Sequence, residues 1–214
     1  MRLRLHSYWR STAAYRVRIG LALKGVPCEI VPVELRRGEQ RASAYRRLNP
    51  QGLVPALEVD GRILTQSLPI LEWLEELYPY PSLLPQDAFG RAHARATAAI
   101  IASDVHPLNN LRVLDHLRRE LHTPEPSVLA WADRWITEGF EAIEPRLADR
   151  GWSLGGQPGL VDCCLVPQVY SAARFAIDLD RFPRIARVAA LAKEHPAFGM
   201  AHPDRQPDAD AVAA

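Results

Sequence analysis

Three prolines fall within the eight residues Tyr78-Pro79-Tyr80-Pro81-Ser82-Leu83-Leu84-Pro85, and no helix runs through such a stretch. Each proline removes a backbone donor and crowds the preceding turn. The patterns on either side differ. Before it, short runs of alternating or β-branched residues interleave with helical spacings. After it, only helical spacings of apolar residues recur, over 88–121, 127–149, 159–176 and 182–194. The sequence therefore predicts an α/β domain over 1–80, a linker over 81–87 and an all-α domain over 88–214.

The first segment alternates through Arg2-Leu3-Arg4-Leu5-His6, as a half-buried strand does. Ser11 and Thr12 open a helix that runs to Lys24 and stops at Gly25, with Pro27 just beyond. Residues 28–35 are rich in β-branched types and read as a second strand, which makes a βαβ unit with a parallel pair. A short helix is expected over 42–48. Asp60-Gly61 between two apolar runs is a two-residue hairpin signal, so the later strands are antiparallel. Pro55 belongs at a strand start or edge, and Ser67 reads as the N-cap of a helix over 69–78.

In the second half, Pro107 and Pro167 are expected to kink or interrupt their helices, and the tail from Pro203 to fray or lie across the surface. The chain has 214 residues, 48% of them hydrophobic, enough for a real core. Its 26 basic and 25 acidic residues leave a net charge of +1, which gives no global field for nucleic acid or a membrane surface. No apolar run approaches a bilayer span and no leader pattern is seen, so a cytoplasmic protein is expected. Cys28, Cys163 and Cys164 make neither a disulfide framework nor a Cys-x-x-Cys pair, and they read as buried small residues. The seven histidines are scattered, and no metal-binding motif is expected.

Two turns carry chemistry. The helix N-terminus at Ser11-Thr12 offers an anion two hydroxyls and the positive end of the helix dipole, although an ordinary capped βα turn looks the same. Gln66-Ser67 opens a second helix directly after a strand, with an amide and a hydroxyl able to hold a carboxylate or amino group. A βαβ followed by a hairpin and a helix would bring the turns at Ser11, Val54-Pro55 and Gln66-Ser67 to one end of a single sheet, where ligands of open sheets gather. His106 precedes Pro107 in Asp104-Val-His-Pro-Leu-Asn-Asn-Leu-Arg112, where a helix break would turn polar side chains toward a cleft, although a plain solvent-facing or capping histidine reads the same.

The chain resembles the zeta-class glutathione transferases, which include maleylacetoacetate and maleylpyruvate isomerases. The resemblance runs through Tyr8-Trp9-Arg10-Ser11, Val17-Arg18-Ile19-Gly20, Leu48-Asn49-Pro50-Gln51, Val54-Pro55-Ala56-Leu57, Gln66-Ser67-Leu68, His106-Pro107-Leu108-Asn109-Asn110 and Leu165-Val166-Pro167-Gln168 to Arg174-Phe175. It implies a thioredoxin-like glutathione-binding domain, a helical domain covering the acceptor pocket, and a homodimer. By position, Ser11 looks like the hydroxyl that bonds the glutathione sulfur, with Thr12 as helper or substitute. Gln66 and Ser67 resemble residues gripping the γ-glutamyl end, Val54 the backbone pair to the cysteinyl unit before a family cis-proline at Pro55, and Gln40 a further tripeptide contact. His106, Asn110 and Arg112 fall where the second domain approaches glutathione or the acceptor. Arg10 and Arg174 match arginines that hold substrate carboxylates in the maleylpyruvate branch.

The chain departs from the usual motif Ser-Ser-Cys-x-Trp-Arg-Val-Arg, with Ala13 at the cysteine and Tyr15 at the tryptophan. It departs again at Gly159, where the family generally has a Ser or Thr cap. An alanine supplies no thiol, which puts thiol exchange in doubt and leaves isomerisation untouched. The implied function is glutathione-dependent cis–trans isomerisation of a dicarboxylic keto-acid in aromatic-compound and aromatic amino acid catabolism. A general glutathione transferase acting on electrophiles and a non-catalytic transferase-like binding module are the alternatives.

Overall fold

The computed structural model describes residues 1–209. The chain divides into two compact units, Met1–Leu83 together with the residues from Lys193 onward, and Leu84–Ala192. The first unit holds a four-stranded sheet in the order β2-β1-β3-β4. Its strands are β1 (Leu3–Ser7), β2 (Glu29–Pro32), β3 (Ala56–Val59) and β4 (Arg62–Thr65), with helices α1 (Thr12–Leu23), α2 (Ser43–Leu48) and α3 (Ser67–Leu77). β1 and β2 are parallel, with Leu5 opposite Ile30, and β3 runs antiparallel to both β1 and β4.

Local chemistry accounts for most of these boundaries. Ser11 caps α1, its hydroxyl accepting the Ala14 N–H at 3.2 Å. Gly25 ends the same helix with φ +63°, and the following Val26 N–H bonds back to the Leu21 carbonyl at 2.9 Å. The β3–β4 hairpin turns through Asp60 and Gly61, both at positive φ, the conformation a two-residue primed turn demands. The Val54–Pro55 and Tyr80–Pro81 bonds are cis.

Helix α3 begins earlier than the sequence suggests. Ser67 is its first helical residue, not its cap; the cap is Gln66, at φ +70°. The Ser67 side chain is buried and its hydroxyl oxygen accepts a hydrogen bond from the Arg16 guanidinium at 3.2 Å, which leaves the hydroxyl its own proton to donate. α1 and α3 pack together, with Gly20 lying directly against Leu71 and near Leu74, both fully buried.

Helix α10 (Pro196–Ala201), expected within the second domain, packs against α1 in the first unit. Arg18, buried on α1, donates to the Ala201 carbonyl at 3.0 Å, and the Tyr15 and His202 rings meet edge to face. The tail does lie on the surface as far as Ala209, which packs on a cluster of Tyr8, Trp9, Val33, Tyr45 and Val54. Residues 210–214, part of the expected tail, fall outside the described residues.

The second unit is helical: α4 (Ala88–Ala99), α5 (His106–Leu108), α6 (Leu111–Arg119), α7 (Glu125–Ile143), α8 (Leu160–Ala173) and most of α9 (Pro183–Glu194). Pro107 does disturb its helix. A π-helical stretch, Ile100–Val105, leads into the short α5, and Asn109 ends it. Pro167 does not interrupt α8, which runs unbroken from Leu160 to Ala173 with most of its residues buried. Gly159 supplies no cap oxygen, but the reverse contact is present. The buried Asp162 carboxylate accepts the Gly159 N–H at 2.8 Å and the Ser153 N–H at 3.0 Å. No described helix is long and apolar enough to cross a membrane.

Candidate active site

Strand directions assemble the first part of the site. β1 and β4 both end, and β3 begins, at one end of the sheet, because His6 pairs with Ala56 and Ala56 pairs with Thr65. The turns after β1 (Ser11), before β3 (Val54-Pro55) and after β4 (Gln66-Ser67) therefore emerge together. This is the convergence the sequence order predicts.

Ser11, as the cap, is partly exposed at the positive end of α1, whereas Thr12 is buried in the first turn. Accepting the Ala14 N–H leaves the Ser11 hydroxyl its own proton to donate. Gln66 is exposed and its amide donates to the Gln51 side chain at 2.7 Å. Its φ of +70° with ψ 127° is a region that L residues rarely occupy. Gly52, also at positive φ, lies against the Gln40 carbonyl, and a methyl group there would press on that oxygen. The Gln40 side chain is buried; its Nε2 reaches the Leu35 carbonyl at 3.4 Å, while its Oε1 has no partner among the described residues. Tyr45 and Asn49 fix the approach to Val54 by donating to the Leu53 carbonyl at 2.7 and 2.8 Å. Burial pushes the Tyr45 phenol up to about 12, so it stays a donor. Arg10, partly exposed, holds its guanidinium 5.3 Å over the Trp9 ring.

In the second unit, Asn110 caps α6, its Oδ1 accepting the Arg112 N–H at 3.1 Å, and its Nδ2 lies 3.3 Å from His106 Nε2. Trp131 donates to the Leu108 carbonyl at 2.8 Å and holds the α5 turn in place. Arg112 is exposed on the first turn of α6. Arg174 is exposed at the end of α8, its guanidinium 5.9 Å from the Phe175 ring. Ser11, Val54, Pro55, Gln66 and Ser67 are thus brought to one sheet end, while His106, Asn110 and Arg112 form a separate local group. Among the described residues, no group of three or more His, Cys, Asp or Glu is placed to hold a metal ion.

Four residues that shape the first group escape a sequence reading: Arg16 behind Ser67, Arg18 behind Tyr8 and Trp9, Gln51 on Gln66, and Asp208 on the Trp9 N–H. Two arginines in an otherwise apolar helix were a visible signal. The other two carry none, since their partners are set by the fold.

Residues 10–77 match a family model described as the glutathione S-transferase N-terminal domain. A maleylacetoacetate isomerase of Pseudomonas aeruginosa is 51% identical, over 98% of this chain and all of that protein. The holo structure of a bacterial zeta-class maleylpyruvate isomerase is 48% identical and superposes with a TM-score of 0.94, over 97% of this chain and 100% of its own. A maleylacetoacetate isomerase from Anaeromyxobacter dehalogenans, solved with dicarboxyethyl glutathione and citrate in its active site, is 44% identical with a TM-score of 0.88, over 99% of this chain and 95% of its own. With identity at this level along its whole length, on a thioredoxin-like domain followed by helices, the chain belongs to the zeta-class glutathione transferase family of maleylacetoacetate and maleylpyruvate isomerases.

Proposed function

We propose that this protein is a glutathione-dependent cis–trans isomerase of maleylpyruvate or maleylacetoacetate. The observation that carries the reading is the convergence of the Ser11, Val54-Pro55 and Gln66-Ser67 turns at one sheet end. The chain fits the tripeptide. It offers a helix N-terminus with a donor hydroxyl, a buried amide oxygen at Gln40 awaiting a donor, and an amide at Gln66 in a strained turn. A structure of a close relative with a two-carboxylate derivative of glutathione in its active site supports the same reading.

Glutathione, when bound, supplies a thiolate that adds reversibly to the conjugated double bond, so that rotation about it becomes free. Free thiols are mostly protonated near neutral pH, so the site must favour the charged form. Ser11 does so by donating its hydroxyl proton toward the sulfur, with the α1 dipole behind it. Its cap position favours it over the buried Thr12 for this role. Gln40, Gln66, Ser67 and the Val54 backbone orient the tripeptide, with Pro55 fixing the turn, and His106 and Asn110 are assigned to the same cofactor. Arg10, Arg112 and Arg174 are assigned to the keto-acid carboxylates, which the guanidinium fork matches in bidentate fashion. An arginine or backbone donor near the developing enolate oxygen lowers the barrier to addition.

We further infer a cytoplasmic homodimer acting in aromatic-compound catabolism, with no nucleic acid or membrane partner, a reading supported by the +1 net charge. Turnover of maleylpyruvate and maleylacetoacetate, measured side by side with and without glutathione, tests the function. Turnover of one that vanishes without glutathione supports the isomerase and names the substrate. Glutathione binding with no turnover of either overturns it.

A further inference from the structure

The turn that carries Arg10 is held both from within its own stretch of sequence and from far along the chain. The Ser11 N–H bonds to the Tyr8 carbonyl at 2.9 Å and closes a four-residue turn with Trp9 and Arg10 in the middle. Arg18 donates to the Trp9 carbonyl at 3.0 Å and to the Ser7 hydroxyl at 3.0 Å, and approaches the Tyr8 carbonyl at 3.4 Å. Those tethers come from residues nearby in sequence. The remaining one does not: the Trp9 N–H donates to the Asp208 carboxylate at 2.9 Å, across 199 residues. Both peptide planes that lead into the Arg10 Cα are thereby fixed.

Asp208 is itself held in position. Arg18 ties the Ala201 carbonyl, and a turn at Pro203–Arg205 brings the chain round. The Gln206 amide bonds to the Met200 and His202 carbonyls at 3.1 and 2.9 Å. Ala209, one residue on, packs on the cluster of Tyr8, Trp9, Val33, Tyr45 and Val54. The Trp9 ring that these contacts immobilise is the one over which the Arg10 guanidinium lies. A charged acceptor on a largely buried N–H is a strong and directional bond. Its geometry passes to the ring and from the ring to the guanidinium.

We propose that Asp208 is a positioning residue: by anchoring the Trp9 N–H, it sets the direction of the Arg10 guanidinium and so the grip on a substrate carboxylate. This rests on the assignment of Arg10 to the keto-acid. It makes the turn around Asp208 part of the substrate site, a role that nothing in the local sequence there announces.

The test uses the full chain with glutathione, comparing Asp208→Ala, Asp208→Asn, Arg10→Ala and the double variant Arg10→Ala/Asp208→Ala. Asp208→Ala is expected to raise the keto-acid KM by roughly tenfold while the glutathione KM moves by less than about twofold, because a small misplacement of a binding group is costly. Asp208→Asn restores most of the loss, since its amide oxygen still accepts the N–H. In the Arg10→Ala background, Asp208→Ala adds less than about twofold, the mark of two residues acting through one contact. Exchange of the Trp9 amide hydrogen quickens by about tenfold or more in Asp208→Ala and stays slow in Asp208→Asn. Asn behaving like Ala, or an equal loss with and without Arg10, overturns the proposal. If Arg10→Ala leaves the keto-acid KM unchanged, the assignment of Arg10 has failed. The Trp9 amide then decides about Asp208 alone, and unaltered exchange in Asp208→Ala overturns the anchoring.

Discussion

Lys24 and Glu75 form a buried ion pair, Nζ to Oε2 at 2.5 Å, with side chains 0% and 7% exposed. Lys24 also donates to the Pro81 carbonyl, and Glu75 accepts from the Ser82 hydroxyl at 2.6 Å and the Leu83 N–H at 2.8 Å. The segment Pro81–Leu83 is thus clasped to the C-terminal end of α1 and to α3. Every polar atom of the pair that needs a partner finds one, which is the condition under which a buried pair persists.

Removing one member leaves the other charged and buried. Lys24→Met is expected to destabilise the protein by about 3 kcal/mol or more, with Glu75→Leu in the same background recovering part of the loss. Urea unfolding of the single and double variants measures both, and equal stabilities of the single variant and the parent would refute the account.

The same pair gives an acid dependence. Burial alone would push the Glu75 carboxyl up, but the Leu83 N–H, Lys24 and Ser82 outweigh it and hold the carboxyl below its ordinary value. A depressed carboxylate contributes stability above the unfolded pKa of about 4.3, and that contribution is lost as pH falls through the folded value. The gap in thermal midpoint between the parent and Glu75→Gln should be widest near neutrality and shrink below about pH 4.

Ser11 caps α1 and, in the proposed function, also donates to the glutathione sulfur. Ser11→Ala should cost about 1 kcal/mol through the lost cap on Ala14, and should lower kcat/KM by about 100-fold or more through the lost donor to the sulfur. Differential scanning and steady-state kinetics separate the two. A large loss of activity with an unchanged melting point would mean that the cap contributes nothing.

Gly20 is needed for space, since its φ is ordinary. A methyl group there overlaps Leu71 Cδ2 at the α1–α3 contact. Gly20→Ala should therefore destabilise by about 1–3 kcal/mol despite the better helix propensity of alanine. Chemical denaturation checks the sign, and a more stable variant would show that Leu71 moves aside freely.

The features legible in the sequence are those whose cause is local. Gly25 and Asp60-Gly61 are demanded by backbone conformations that few residues adopt, and Ser11 by unpaired N–H groups one turn away. The order of strands and turns sufficed to place Ser11, Val54-Pro55 and Gln66 at one sheet end. Ser67 looks like a cap in the sequence, but Gln66 takes that position and the Ser67 oxygen accepts from Arg16, 51 residues away. Pro167 was expected to kink or interrupt α8, yet burial of most of that helix carries it past one missing hydrogen bond.

By itself, then, the sequence determined the two kinds of domain, the turns between elements and the Ser11 cap of α1, because each depends on neighbours within a few residues. The tertiary structure alone decided that α10 and the tail to Ala209 join the first unit, that Arg16 and Arg18 are buried behind the site, and that Asp208 holds Trp9. Those choices depend on which polar groups lose water together when distant segments meet, and a carboxylate near the end of a chain looks solvated until the fold brings it a buried N–H.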